Sequence, residues 1–388
     1  MRRLPLAVLF ALLAASSPPI AMGGADDFNP YYPHRTYPKL ITPQWVGEDG
    51  VDCVVVLAID DMRGHEKWET FLRPILERLK KIDGRAPVSI MTCDIDPKDE
   101  HLQKWLKEGL SLETHTVDHP CPLLKDGDFA KAKSTYDRCV DNLSAVPNSH
   151  PVAFRTPCCD SLNTVSPRFY AEIFNKTTDK GNFLTLDSSV FNLITANDPD
   201  LPRELVMEPD GSERFRKYLP ADRGFVNYIE DYPYPYVIGG TCWEFPCVTP
   251  SDWAAQNHHK QNASPITLRD WKAALDATVI KKGVFCLVFH PYGWSSPEQI
   301  VDLIDHAVKK HGKKVKFLNF REAQERLNKN LLDGHPLRDP KTGAATGVRT
   351  EAPEQSNYVG VLTPSKTGSQ YRTWNPDAKE GQRWLAIT

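Results

Sequence analysis

The stretch that most narrows what this chain can become is residues 53–59, CVVVLAI, an unbroken apolar run closed by the acidic pair Asp60 and Asp61. A strand with one wet face alternates apolar and polar side chains, so a run with no polar position reads as a strand buried on both faces. Such strands belong to parallel sheets covered by helices, and the run therefore predicts an α/β fold. The chain downstream keeps to that prediction. Strand-like runs at 87–92, 110–113, 151–154, 183–186, 284–289 and 315–318 alternate with helix-periodic segments at 68–82, 98–107, 129–143, 167–175, 268–281, 297–310 and 321–330. Pro74 marks a kink or a late start in the first of these helices. Repeated βα units imply a parallel sheet, open or closed into a barrel.

In either form, functional side chains gather where strands end and loops begin. Asp60, Asp61, His115, Arg155, Asp187 and His290 each lie just after a proposed strand. An ionisable residue that ends a buried strand must be paired, bind a metal or face a cavity. Several of them on one rim point to a site. His115 and His119, in LETHTVDHP, together with one carboxylate of the acidic pair, form a zinc-type ligand set that leaves a fourth position for water. The second carboxylate of the pair can take a proton from that water. Singly, each signal has an ordinary explanation. With 12 histidines in the chain a pair spaced i,i+4 arises by chance, Asp-Asp is a common turn or helix cap, His290 suits a core histidine and Arg155 a loop charge. Their shared position at strand ends is what argues for a site.

The 388 residues allow one large domain with accessories, or two domains, and a net charge of −3 without a dense basic patch argues against a nucleic-acid partner. Arg2 and Arg3 precede an apolar run at 4–15 and small residues at 21–23, the pattern of a signal peptide over 1–23. The run is short for a bilayer span, so the expectation is an exported protein (periplasmic, cell-surface or secreted) with no stable membrane insertion after cleavage. Residues 24–50, rich in Pro and Tyr, read as an extended leader. The 9 cysteines then meet an oxidising compartment, and an odd count leaves a thiol free or paired between chains. No C-x-x-C is present. Cys53 and Cys286 sit in apolar runs and read as core residues. The favoured bridges are Cys121 to Cys158 or Cys159, and Cys242 to Cys247. Residues 190–265, with DYPYPYVIGGTCWEFP, break the alternation and read as an inserted loop or hairpin region over the site. Its aromatics suit either local packing or stacking on sugar rings. Residues 331–388 form a tail with short strand-like pieces at 358–362, 371–374 and 383–387.

The order D-D, H-T-V-D-H, R-T-P, a later Asp and L-V-F-H resembles the polysaccharide deacetylase (NodB-like) family of carbohydrate esterases, over 51–330. The resemblance implies a distorted (β/α) barrel and removal of acetyl groups from N- or O-acetylated poly- or oligosaccharide. It also implies Zn2+ or another divalent transition metal on Asp61, His115 and His119. Asp60 matches the base, Arg155 its partner, His290 the acid, Asp187 the carboxylate that orients this histidine, and the Cys158 N–H an oxyanion donor. The chain departs from the family pattern at Ala58 and Ile59, where Thr-Phe is usual, and at Cys158, where an aromatic is usual. The tryptophan usual near the late Asp is missing beside Asp187. The tail resembles one blade of an integrin-type β-propeller. Rival readings are a glycan-binding protein without catalysis and an amidase acting on a small non-carbohydrate amide.

Overall fold

The computed structural model describes residues 48–124, 128–159, 169–219 and 228–348, with strand segments at 361–365, 368–374 and 384–387. The expected signal peptide lies outside the described residues, as does the expected leader up to position 47.

The apolar run forms β1 (Cys53–Met62), buried along its length save for a half-buried Asp61, in a 12-stranded sheet. One edge of β1 carries β11 (Val284–Phe289), with Val54 opposite Val284 and Ile59 opposite Phe289. The other edge carries β12 (Val315–Phe317) at Cys53–Val55 and β2 (Val88–Thr92) from Leu57 onward. From β2 the sheet continues through β3 (Ser111–Thr114), β4 (Ala153–Phe154), β5 (Leu186–Asp187), β9 (Cys242–Glu244) and β8 (Tyr236–Ile238). From β11 it continues through β10 (Cys247–Val248), β6 (Phe191–Leu193) and β7 (Tyr228–Glu230). Every pairing is parallel except that of β8 with β9. Among the described residues β7 and β8 do not bond to each other, so the sheet curls into an incomplete barrel.

Strand alternation sorts the core into two clusters. Cys53, Val55, Leu57 and Ile59 pack with the helices His65–Asp83, Pro265–Lys281 and Pro297–His311, whereas Val54, Val56 and Ala58 face a second cluster that includes Phe320, Ala323 and Leu327 of helix Phe320–Leu331. Helix His65–Asp83 runs unbroken with Pro74 inside it, instead of starting late. A mid-helix proline costs about 3 kcal/mol. The buried stripe of Trp68, Phe71, Leu72, Ile75, Leu76 and Leu79 outweighs that cost at about 1.5–3 kcal/mol per side chain.

The reading of 190–265 as an inserted loop or hairpin region over the site holds in part: Tyr218, Pro250 and Trp253 line the cavity beside Asp60 and Asp61, but the segment is no insertion. The segment supplies β6 to β10 of the main sheet, and Tyr234, Tyr236, Trp243 and Phe245 are buried. Short strands separated by prolines leave too little periodicity to be read as sheet. The expected Cys242–Cys247 bridge is also corrected: both thiols are free, because Cys242 lies on β9 beside β5 and Cys247 on β10 between β6 and β11.

The domain does not stop at 330. Leu332 and Leu337 join the cluster around Phe320, and Val348 packs against it. Arg338 is 1% exposed, and its guanidinium donates to the carbonyls of Phe174, Asn175, Lys176, Leu184 and Gly343 at 2.7–3.3 Å. Phe174 ends the π-helical turn Tyr170–Phe174, and a cation there satisfies carbonyls that have no partner within the turn. Further on, β13 (Val361–Ser365), β14 (Gly368–Trp374) and β15 (Trp384–Ile387) form an antiparallel three-stranded sheet. Among the described residues no helix is long and apolar enough to cross a membrane.

Candidate active site

Adjacent residues of a strand point to opposite faces, so Asp60 and Asp61 could not both serve one site from a regular β1. The strand breaks its own rule. Its register against β2 shifts between Ile59 and Met62, and Asp61 has a left-handed φ of 71°. A bulge of this kind re-aims a side chain, at a strain of roughly 1–3 kcal/mol. Both carboxylates line the same cavity as a result. At the end of β3 the same device recurs. Thr116 and His119 have φ of 63° and 52°, and the loop returns His119 to within 5.0 Å of His115, ring to ring.

His115 is buried and its Nδ1 lies 2.7 Å from the Arg155 carbonyl oxygen. A carbonyl can only accept, so Nδ1 carries the proton and the Nε2 lone pair is left for a metal. That Nε2 is 3.2 Å from Asp61 Oδ1, and His119 Nε2 is 2.9 Å from the same oxygen. Despite these contacts, Asp61 Oδ1 is buried without a hydrogen bond. The donor atoms of Asp61, His115 and His119 all lie within 4.8 Å of one another. A carboxylate oxygen without a donor, facing an imidazole whose free nitrogen is fixed by its tautomer, fits a divalent transition metal on three protein ligands.

Asp60 is 2% exposed, and its Oδ1 accepts from Arg155 Nη1 at 2.7 Å. Its Oδ2 is 4.0 Å from His115 Nε2. Arg155 is fully buried: Nε donates to the Ser188 carbonyl at 2.8 Å, Nη2 donates to Ser188 Oγ at 3.0 Å, and Nη2 also lies 3.4 Å from both Cys247 and Cys286 Sγ. Asp60 is thus a base candidate held by a buried cation, beside the ligand set.

His290 follows β11 and its Nε2 is 3.9 Å from Asp61 Oδ2. The orienting carboxylate is not Asp187. It is Asp252, fully buried, whose Oδ1 is 2.7 Å from His290 Nδ1 and whose Oδ2 accepts the His290 backbone N–H at 2.7 Å. Burial disfavours the imidazolium, but Asp252 more than compensates and raises the His290 pKa to about 9. Asp187 instead accepts hydrogen bonds from Tyr170, Ser188 and Ser189. The missed signal is T-P-S-D-W at 249–253, which also follows a strand, and there the tryptophan absent beside Asp187 stands next to the Asp. That strand, β10, is only 2 residues long, which hid it.

Cys158 lines the cavity at a φ of 60° and is bridged to Cys121, with Cα atoms 6.1 Å apart. Of the two partners open to Cys121 in the sequence, Cys158 is the one used, and Cys159 is a buried free thiol. The bridge ties the loop after His119 to the turn after Arg155. The cavity, about 140 Å³, is closed on its other side by Tyr218, Pro250, Trp253 and Trp294.

Residues 48–170 match the family model described as polysaccharide deacetylase. No curated protein sequence matches the chain. Among solved structures, the chain is distantly similar to one assigned to the polysaccharide deacetylases from Mycobacterium smegmatis, at 14% identity and a TM-score of 0.45, covering 74% of this chain and 93% of that one. It is also similar to the peptidoglycan deacetylase PdaC from Bacillus subtilis, at 14% identity and a TM-score of 0.38, covering 73% and 95%. A third is Puue allantoinase, at 11% identity and a TM-score of 0.45, covering 77% and 96%.

Proposed function

We propose, for a chain whose residues 48–170 belong to the polysaccharide deacetylase family, that it is an exported, metal-dependent hydrolase releasing acetyl groups from acetylated carbohydrate. The observation that carries this reading is the convergence of Asp61, His115 and His119 beside two separately anchored groups, Asp60 on Arg155 and His290 on Asp252. A divalent metal on the three ligands would polarise the acyl oxygen and acidify a water. The remaining work falls to the chain itself. Asp60, kept in place by Arg155, accepts the proton of the attacking water. His290, held protonated by Asp252, sits where it can protonate the departing amine or alcohol. The cavity wall of Trp253, Trp294 and Tyr218 offers faces for a sugar ring to stack on. The Cys121–Cys158 bridge and the signal-like N-terminus support a destination outside the reducing cytosol.

The test is acetate release from N,N′,N″-triacetylchitotriose and from an O-acetylated oligosaccharide, before and after chelation and zinc return. Turnover that follows the metal is the expected result, with His290→Ala slower by roughly 10²- to 10⁴-fold. Sugar binding that persists without metal and without turnover would replace the hydrolase with a binding protein. Hydrolysis confined to small amides would replace the carbohydrate substrate.

A further inference from the structure

Asp187 lost its expected partner, yet it lies fully buried at the rim of the sheet, where an unused carboxylate is costly. Its neighbours show what it holds. β4, β5 and β9 run in parallel with Phe154 opposite Asp187 and Asp187 opposite Glu244, so the two acidic side chains share one face at the same level. Both are completely buried. Asp187 is fully supplied with donors: Ser188 N–H at 2.9 Å and Ser189 Oγ at 2.6 Å on one oxygen, Tyr170 Oη at 2.6 Å on the other. Glu244 is not. Its Oε1 accepts from Val190 N–H at 3.1 Å, while its Oε2 is buried with no donor.

Two ionised carboxylates side by side in a dry interior repel, and the pair settles by keeping one proton. The donor count says where it sits. A proton on Glu244 Oε2 removes the one unsatisfied acceptor and gives Asp187 a further donor. Burial, reinforced by the charge of Asp187, shifts Glu244 well above the ordinary carboxyl range.

The residues anchored by this pair lead to the candidate active site. Ser189 Oγ donates to Asp187 and accepts the Thr156 N–H at 3.0 Å, on the turn that presents Cys158. Ser188, whose N–H is bound by Asp187, gives its carbonyl and its hydroxyl to the Arg155 guanidinium, which in turn grips Asp60. We propose that Asp187 and Glu244 share one proton and act as a positioning pair, fixing Ser188 and Ser189 as a bracket beneath Arg155 and the Thr156–Cys158 turn. The pair touches neither substrate nor metal. Its kinetic consequence rests on the hydrolase reading above, whereas its protonation does not.

The experiment therefore has two arms on the full-length protein. Infrared difference spectra of wild type against Glu244→Gln at neutral pH should show a protonated-carboxyl stretch present only in the wild type. In kinetics on triacetylchitotriose, Asp187→Ala and Glu244→Ala should lower kcat by roughly 10- to 100-fold at unchanged KM and metal content. Glu244→Gln, whose amide N–H reproduces the hydrogen bond to Asp187, should restore kcat lost in Glu244→Ala. Ser189→Ala, a gentler change, should lower kcat if Asp187→Ala does not fold. Absence of the carboxyl band overturns the shared proton. Unchanged kcat in Asp187→Ala or Ser189→Ala, or no recovery in Glu244→Gln, overturns the positioning role. A wild type that releases no acetate counts against the hydrolase reading, and the infrared arm then decides the pair alone.

Discussion

Two clusters in this molecule carry the same side chains, one aspartate and two histidines: Asp61 with His115 and His119, and Asp276 with His306 and His311. By composition they are equal candidates for a metal. By hydrogen bonding they are opposites. At the second cluster His306 Nε2 and His311 Nε2 both donate to Asp276 Oδ1, at 2.8 and 2.6 Å, and Lys310 Nζ reaches Oδ2 at 2.8 Å. Protons occupy the nitrogens a metal would need, and a lysine already answers the charge. At the first cluster the Arg155 carbonyl holds the proton of His115 on Nδ1, and Asp61 Oδ1 is left without a hydrogen bond. The backbones differ as well. The second cluster projects from the regular helices Pro265–Lys281 and Pro297–His311, whereas the first depends on left-handed φ at Asp61 and His119. The lesson is that ligand identity is cheap in a sequence. Tautomer and strain, which lie outside the ligands themselves, make the difference.

This contrast can be broken outright by metal analysis. About one equivalent of zinc should copurify or be taken up, vanish in His115→Ala, and persist in His311→Ala. A second equivalent that depends on His311 would place the clusters on equal terms. Next in size, Asp60→Asn should lower turnover by roughly 10²- to 10⁴-fold with the metal still bound, while Asp276→Asn leaves turnover untouched. Arg155→Leu leaves a buried carboxylate without its cation and should destabilise the fold by about 3–5 kcal/mol in denaturant titration. The smallest effect belongs to Asp276→Asn, about 1 kcal/mol, since its lysine and histidine partners are partly exposed. Burial opposes ionisation of Asp276, but Lys310, His311 and His306 hold its carboxyl below the ordinary value. A folded-state pKa below the unfolded one adds stability above about pH 4 that is lost on acidification. Wild type and Asp276→Asn should therefore converge in stability as the pH falls below 4.

Much of this was legible in the chain. The apolar run at β1 announced the parallel sheet, and the strand-end rule gathered Asp60, Asp61, His115, Arg155 and His290 into one cavity region. The rule failed where strands shrink to a few residues. β5 was visible enough to nominate Asp187, while β10, equally short and set among prolines and aromatics, concealed Asp252. The one pattern that tells these acids apart is the tryptophan next to Asp252, and the choice itself depends on which short strand neighbours β11 in the sheet. The bulge at Asp61 was equally silent, since an aspartate at left-handed φ looks like any other aspartate.

One property of β1 reaches beyond the folded state. It holds the longest apolar run among the described strands, and it emerges early in synthesis, yet two of its partners, β11 and β12, are the last strands of the main sheet to be made. Val54 must wait for Val284, and Cys53 for Val315. Until then a sticky, unpaired edge stands open to other chains, and pairing across so long a loop is slow. On the proposed route of export, that interval favours crossing the membrane before folding, with a chaperone shielding the edge.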